Sequence, residues 1–266
     1  MHKVKAIVSD FDGTLVDHSH KLNPKVEAAI RSFIKAGYIF SIATGRAYEG
    51  VIEKYCKLLE TSELTIVRGG SEILSNKTKE VIWGKYINTG TTKEILDYLN
   101  KQSDIFFAVE HKEYIYTVNG ISSPELGLDA KYKPLNDLPN LDVPKIVLTT
   151  VHSEKLIMNI LSELSTNFPN LHLVKIIGKR GMGIDINDGG AGKHMALLEY
   201  AKLMNLDPSE ILGVGDSYND YPLLSACGIK VAMGNSPQEL KDIADYVVSS
   251  QEKNGILEAI DIAINS

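Results

Sequence analysis

Two aspartates separated by one phenylalanine, Asp10-Phe11-Asp12, close a short apolar run and lead into Gly13-Thr14-Leu15. Carboxylate oxygens at this spacing suit a small hard cation such as Mg2+, which is commonly held by one or two carboxylates together with oxygens of a phosphorylated substrate. Asp10 can then serve as metal ligand and as nucleophile, because a carboxylate attacking phosphorus splits a hydrolysis into two easier steps. Asp12, two residues along, can protonate the leaving group and afterwards activate water, and its backbone carbonyl can reach the metal. Gly13 permits the sharp exit from the run, and Thr14 caps or orients the loop. Taken alone, the same residues also describe a surface turn, since Asp-Gly pairs mark turns. A buried strand running into two acids weighs against that.

Three further groups could act on the same phosphoryl centre. Thr44-Gly45-Arg46 ends a second apolar run, where a hydroxyl and the first N–H groups of a predicted helix could bind a phosphoryl oxygen or merely cap the helix. Lys193 follows Gly189-Gly190-Ala191-Gly192 at another predicted helix start. There a cation would neutralise phosphate and an aspartyl intermediate, although a solvated first-turn lysine has the same appearance. The glycines do not form a nucleotide-binding P-loop, which needs glycine at Asn187 and serine or threonine at His194. Finally, the stretch Gly213 to Asp220 ends an apolar run with two acids and an amide in one loop. Asp216 reads as the second metal carboxylate and Asn219 as a phosphoryl hydrogen-bond donor. Asp220 reads as an indirect metal ligand or as the partner that orients Lys193. Ordinary turn acids are the alternative. Tyr218 occupies the last glycine position of GxGxxG, so no dinucleotide fingerprint is present.

The elements that must carry these groups alternate in type. Val4 to Ser9 reads as a buried parallel strand. Asn23-Pro24 opens a helix with Val26, Ala29, Ile30 and Phe33 at helical spacing, and Gly37 stops it. Tyr38 to Ala43 is the next strand, and Leu64 to Val67 a third apolar run. Late in the chain the alternation returns, with a helix from about Lys193 to Met204, strands at Ile211 to Val214, Ile229 to Met233 and Tyr246 to Val248, and a last helix at Ile256 to Ile264. The two ends of the sequence therefore predict an α/β fold, a doubly wound parallel-sheet, Rossmann-like core whose ligand crevice lies at the carboxyl ends of the strands. The middle differs. Val81 to Ile87, Ile105 to Glu110, Tyr114 to Val118, Lys145 to Thr150 and Leu171 to Ile177 are strand-like, with helices at Thr92 to Lys101 and Ser153 to Asn167. We read residues 1–80 and 188–266 as a discontinuous catalytic core and 81–187 as an inserted α+β domain, with 122–144 a long surface connection.

Composition narrows the partners. A formal charge of −6 over 266 residues, with 44% apolar residues, argues for a globular protein and against a nucleic-acid binder, which would present a concentrated positive surface. No stretch approaches the roughly 20 apolar residues of a membrane span, and no export signal is visible. Cys56 and Cys227 have no paired spacing, which fits neither a disulfide framework nor a zinc knuckle and suits a reducing cytoplasm. The expected partner is a small phosphorylated metabolite. His18 and His20 read as solvated loop residues and Trp83 as a packing residue.

Taken together and in this order, Asp10-Phe-Asp12-Gly-Thr, Thr44-Gly-Arg, Lys193 and Gly-Asp216-Ser-Tyr-Asn219-Asp220 resemble the motifs of the haloacid dehalogenase-like superfamily. The insertion resembles the large α/β (type IIB) cap of its Cof-like branch, whose members are mostly phosphatases of sugar phosphates and other small metabolites. The resemblance implies a Mg2+-dependent phosphatase working through a phospho-aspartate, with the cap selecting the substrate. It implies Asp10 as nucleophile and metal ligand, Asp12 as acid/base and carbonyl ligand, and Asp216 as metal ligand, with Asp220 beside it. Thr44, Gly45, Lys193, Asn219 and the Phe11 backbone would hold phosphate, with Arg46 at the same place. A sugar phosphomutase is the alternative within the same chemistry, and a non-catalytic phosphorylation sensor a third reading. Arg68-Gly-Gly stands where Asn-Gly-Ala is usual, His194 where glycine is common, and Tyr221-Pro222 follows the last motif.

Overall fold

The fold is given by a computed structural model that describes residues 3–17, 19–118, 131–150, 153–178 and 181–266. His18 and the first part of the 122–144 connection lie outside the described residues. The chain runs β1 (Ala6–Ser9), α1 (Pro24–Lys35), β2 (Ile39–Ile42), α2 (Glu53–Leu59), β3 (Leu64–Val67), β4 (Glu72–Ser75) and β5 (Val81–Gly84). It continues through α3 (Thr89–Leu99), β6 (Phe106–His111), β7 (Tyr114–Thr117), β8 (Lys131–Pro134), β9 (Lys145–Thr150), α4 (Glu154–Asn167), β10 (Leu171–Gly178) and β11 (Gly181–Asp188). The final part is α5 (Lys193–Leu203), β12 (Ile211–Gly215), α6 (Tyr221–Ala226), β13 (Ile229–Ala232), α7 (Gln238–Ile243), β14 (Tyr246–Val247) and α8 (Ile256–Asn265).

Two compact units result. The first comprises Met1–Arg46, Ile52–Trp83 and Lys193–Ser266, and the second Ala47–Val51 and Gly84–Gly192. The junctions fall inside the stretch expected for the insertion at one end and beyond it at the other. Trp83 packs against the core of the first unit, which keeps most of β5, the first strand of the expected insertion, there. At the other junction, a Cβ on Gly189 would stand 2.1 Å from the Asn170 carbonyl oxygen, so the glycine run stays with the second unit.

The first unit is built on a parallel sheet of order β14-β13-β12-β1-β2. All four residues of β1 are buried, as expected of a strand covered on both faces. α1 forms because Asn23 accepts the Lys25 N–H, Pro24 occupies the first turn, and Val26, Ile30 and Phe33 fall on one buried face. Phe33 also stacks on Tyr38 with ring centroids 4.5 Å apart. Ser9 is level with both Val214 and Ile42. The carboxyl ends of β1, β12 and β2 therefore finish together, at the point where the strand order reverses from β1.

β3, the third apolar run, is not a strand of this sheet. It joins β4 and β5 in a separate sheet, antiparallel to β4, and lies beside β2, where Ala43 bridges Ile66 and Ser41 Oγ donates to the Leu64 carbonyl at 2.7 Å. The second unit is a sheet of order β10-β11-β9-β6-β7-β8, antiparallel except for the β7–β8 pair. Ile95 and Leu99 of α3 and Ile157, Ile160 and Leu164 of α4 share a core with Val109, Ile146, Leu148, Ile184 and Ile186. Strand alternation puts Lys145 on the opposite face, where its Nζ lies 2.8 Å from Asp185 Oδ2 and 3.6 Å from Glu110 Oε1. β8 falls in a stretch expected to be irregular, and β4 and β11 were not expected.

Candidate active site

β1, β12 and α5 bring the charged groups together. The Asp10 N–H donates to the Val214 carbonyl at 2.8 Å, continuing the β1–β12 ladder by one residue. The Asp10 side chain therefore emerges beside the loop that follows β12. Lys193, the first residue of α5, is fully buried and donates to Asp10 Oδ1 at 2.6 Å and to Asp220 Oδ1 at 2.5 Å. Asp220 Oδ2 accepts the backbone N–H groups of Asp216 (3.0 Å) and Ser217 (3.1 Å). Asp220 thus contacts Lys193 directly and anchors the loop after β12. A Cβ on Gly215 would fall 2.4 Å from the Asp220 Cβ, so only glycine lets the loop turn tightly enough for this.

Ligand atoms of Asp10, Asp216 and Asp220 lie within 4.8 Å of one another. Burial, helped by Asp220 and Asp216, pushes the Asp10 carboxyl well above its ordinary range against the pull of Lys193. Burial and Asp220 likewise push Asp216 up to about 7. Burial favours loss of the Lys193 proton, but Asp10 and Asp220 outweigh it and hold the ammonium above its ordinary value. Three clustered acids against one ammonium form an anionic pocket of hard oxygen donors. Such a pocket fits a divalent cation of the Mg2+ type.

Asp12 does not join that cluster through its carboxylate. Its side chain is held bidentately by Arg46, with Nε to Oδ2 at 2.6 Å and Nη2 to Oδ1 at 2.8 Å. His20, a loop residue of intermediate exposure, places Nε2 2.7 Å from Arg46 Nη2 and 3.7 Å from Asp12 Oδ1, so it lies against the Arg46–Asp12 pair. Tyr55 fixes it by donating to the His20 carbonyl at 2.6 Å, and Tyr55 packs on the buried Phe11 ring at 5.3 Å. The Phe11 carbonyl closes the loop after β1 by accepting the N–H groups of Leu15 and Val16.

Thr44-Gly45-Arg46 does not begin a helix, contrary to expectation. The chain bends there and turns irregularly through Tyr48–Ile52, with Glu49 extended and Gly50 at φ +83°, before α2 starts at Glu53. Thr44 Oγ1 instead accepts the Arg46 N–H at 3.1 Å, which aims Arg46 back at Asp12. Gly45 lies half-buried in the same bend. Asn219 is exposed, and its Oδ1 accepts from Ser217 Oγ at 2.6 Å.

Asn235, not singled out from the sequence, also belongs to the site. Its Nδ2 donates to the Gly13 carbonyl and to Asp216 Oδ2, both at 3.0 Å. Thr14 Oγ1 donates to the other Asp216 oxygen, Oδ1, at 3.0 Å. Of the motif departures, Arg68 is buried and paired with Glu72 at 2.5 Å. Pro222 sits in the first turn of α6, where a missing N–H removes no helical bond. His194 is half-buried in the first turn of α5.

The sequence matches the haloacid dehalogenase-like hydrolase family over residues 7–260, and the chain belongs to that family. A 5-amino-6-(5-phospho-D-ribitylamino)uracil phosphatase of Bacillus subtilis is 26% identical over 261 residues, covering 97% of this chain and 94% of the relative. Among solved structures, a haloacid dehalogenase-like hydrolase from Bacteroides thetaiotaomicron superposes with a TM-score of 0.84 at 21% identity, covering 98% of this chain and 99% of the other. A subclass IIB sugar phosphatase gives 0.79 at 20% identity, with 97% and 98% coverage. The chain is thus an enzyme of a hydrolase family and has the Cof-like, type IIB architecture, and phosphatases are among its relatives. No helix among the described residues is long and apolar enough to cross a membrane.

Proposed function

We propose that this protein is a Mg2+-dependent phosphatase that hydrolyses a phosphomonoester of a small metabolite through a phospho-aspartate on Asp10. The observation that carries the reading is the buried Asp10 carboxylate, held by Lys193 on one oxygen within an acidic cluster. Lys193 fixes Oδ1 and leaves Oδ2 to attack phosphorus. As the new Oδ2–P bond forms, the bond from phosphorus to the ester oxygen breaks and Asp12 gives that oxygen a proton. Asp12 then takes a proton from water, whose oxygen attacks the same phosphorus. The Asp10–P bond breaks, inorganic phosphate leaves and the carboxylate is restored. Arg46 holds the Asp12 carboxylate bidentately, which fixes its position for both halves.

Asp10 and Asp216 would hold the metal, with the Asp12 carbonyl. Asp220 would act at one remove, through Lys193 and the Asp216 backbone. When bound, Mg2+ would supply positive charge against the acids and the phosphoryl oxygens. We assign Thr44, Gly45, Lys193, Asn219 and the Phe11 backbone to the phosphoryl group, and Arg46 to substrate as well as to Asp12. The inserted domain is the proposed substrate-selecting cap. A phosphorylated ribitylamino compound and a sugar phosphate, the substrates named for two relatives, support a small metabolite in preference to nucleic acid or a membrane lipid. The two buried thiols, Cys56 and Cys227, suit the cytoplasmic placement that is part of this proposal.

The test is release of inorganic phosphate from a panel of phosphorylated sugars, polyols, nucleotides and cofactors, with Mg2+ and with a chelator. Metal-dependent release from at least one small phosphomonoester is the expected result. Release that is insensitive to the chelator, or none from any compound, would reject the reading.

A further inference from the structure

The turn after β13 sits at the junction of three chain segments that finish beside the acidic cluster. Met233 continues the strand by donating to the Gly215 carbonyl at 3.0 Å, and Ser236 closes the turn onto Met233 at 3.0 Å. Gly234 lies so close to the segment after β14 that a Cβ there would be 2.7 Å from the Ser250 nitrogen. Asn235 is thereby pinned at the tip of the turn. The Gln251 N–H donates to its Oδ1 at 2.9 Å, which fixes which end of the amide is oxygen. Both hydrogens of Nδ2 must then point the other way, one to the Gly13 carbonyl and one to Asp216 Oδ2.

We propose that Asn235 is a positioning residue for the metal site: it ties the loop bearing Asp10 and Asp12 to the loop bearing Asp216, and so fixes the separation of the two carboxylates that receive the cation. Only a residue with two donors and one acceptor meets all three contacts. With Thr14 on Oδ1 and Asn235 on Oδ2, each Asp216 oxygen is oriented by one donor and keeps a direction for a cation. The residue itself is exposed, so its truncation removes little packing. A role in positioning is therefore separable from a role in holding the fold. The inference rests on the metal-dependent reading of the site above.

Its test is direct Mg2+ binding by titration calorimetry, without substrate, on wild type, Asn235→Ala, Gln251→Pro and the double variant. Gln251→Pro deletes the N–H that orients the amide while leaving Asn235 in place. Gln251 is the first residue of a 3-10 turn, and Ser250 before it is extended at φ −66°, ψ 164°, so proline fits there. Outer partners of metal ligands typically contribute about 10–100-fold in affinity, and for this exposed amide we expect about tenfold weaker Mg2+ binding in Asn235→Ala. Gln251→Pro should weaken binding in the same direction, the double variant should be no worse than Asn235→Ala, and metal-free melting should be unchanged in all three. Unchanged Mg2+ affinity in Asn235→Ala, or additive effects of the two substitutions, would overturn the inference. Wild type that binds Mg2+ yet releases no phosphate from any substrate would fail the functional reading and leave this one standing.

Discussion

Gly13 offers a sharp test of how tightly the two acidic loops are fitted. It has φ +77°, and a Cβ added to it would lie 2.4 Å from Asp216 Oδ2, where ordinary contact begins near 3.4 Å. Gly13→Ala must therefore displace the Asp216 carboxylate by about 1 Å or unwind the loop. The left-handed backbone adds about 1–2 kcal/mol of strain for any residue with a side chain. In a protein of this size that corresponds to a melting temperature lower by roughly 2–8 °C. A displacement of about 1 Å at a catalytic group is worth on the order of 100-fold in rate. The assay is thermal melting together with Mg2+-dependent phosphate release at saturating metal. A variant within about twofold of wild type in kcat and unchanged in Tm would refute the argument, because it would mean that the Asp216 position is not critical or that the loop yields freely.

Other perturbations follow from the same contacts. Asp220→Asn cannot accept from Lys193 and from two backbone N–H groups at once, so it should lose about 1.5–3 kcal/mol of charge-assisted hydrogen bonding and at least tenfold in turnover. Equal melting and equal rate would remove Asp220 from the role of orienting Lys193. Glu72→Gln takes the carboxylate from the buried Arg68 and should destabilise by about 3–5 kcal/mol in denaturant unfolding. Arg68→Met/Glu72→Leu should be much closer to wild type, and the reverse order would show that the ion pair itself stabilises. Burial lowers the His172 pKa below its ordinary 6.5, so the unfolded chain takes up a proton first on acidification. Stability should fall as pH drops below about 6.5 and level off beneath the depressed folded pKa. His172→Gln should flatten that slope in melting curves, and an unaltered slope would contradict the assignment.

What the residues disclosed was mainly local. Asp10 and Asp216 stood at the ends of apolar runs, which became β1 and β12 because buried parallel strands need near-continuous apolar sequence, and Lys193 stood after a glycine run at the start of what became α5. The pairing of Lys193 with Asp220 was one of two roles left open by a carboxylate four residues beyond Asp216. Contacts made across turns were hidden. Asn235 reaches Gly13 through an intervening strand register, and His20 is drawn to Arg46 by a loop whose course Tyr55 sets. Neither contact leaves a periodic or motif signal. β11 was missed although Ile184 and Ile186 alternate with Asp185 and Asn187, since the glycines at 181 and 183 look like loop residues. The helix expected after Thr44 failed because Gly50 adopts positive φ and Glu49 is extended, conformations that helical spacing alone does not reveal.

The central claim, a covalent phosphoryl group on Asp10, is tested most directly by trapping. Enzyme turning over a phosphomonoester in Mg2+ is quenched and treated with borohydride, which reduces an acyl phosphate to the alcohol, and the peptide spanning residues 3–21 is analysed by mass spectrometry. The account predicts homoserine at position 10 in wild type, none without substrate, and neither trapping nor turnover in Asp10→Asn, which keeps the wild-type fold. Turnover that persists in Asp10→Asn, or modification at a different acid, would contradict it.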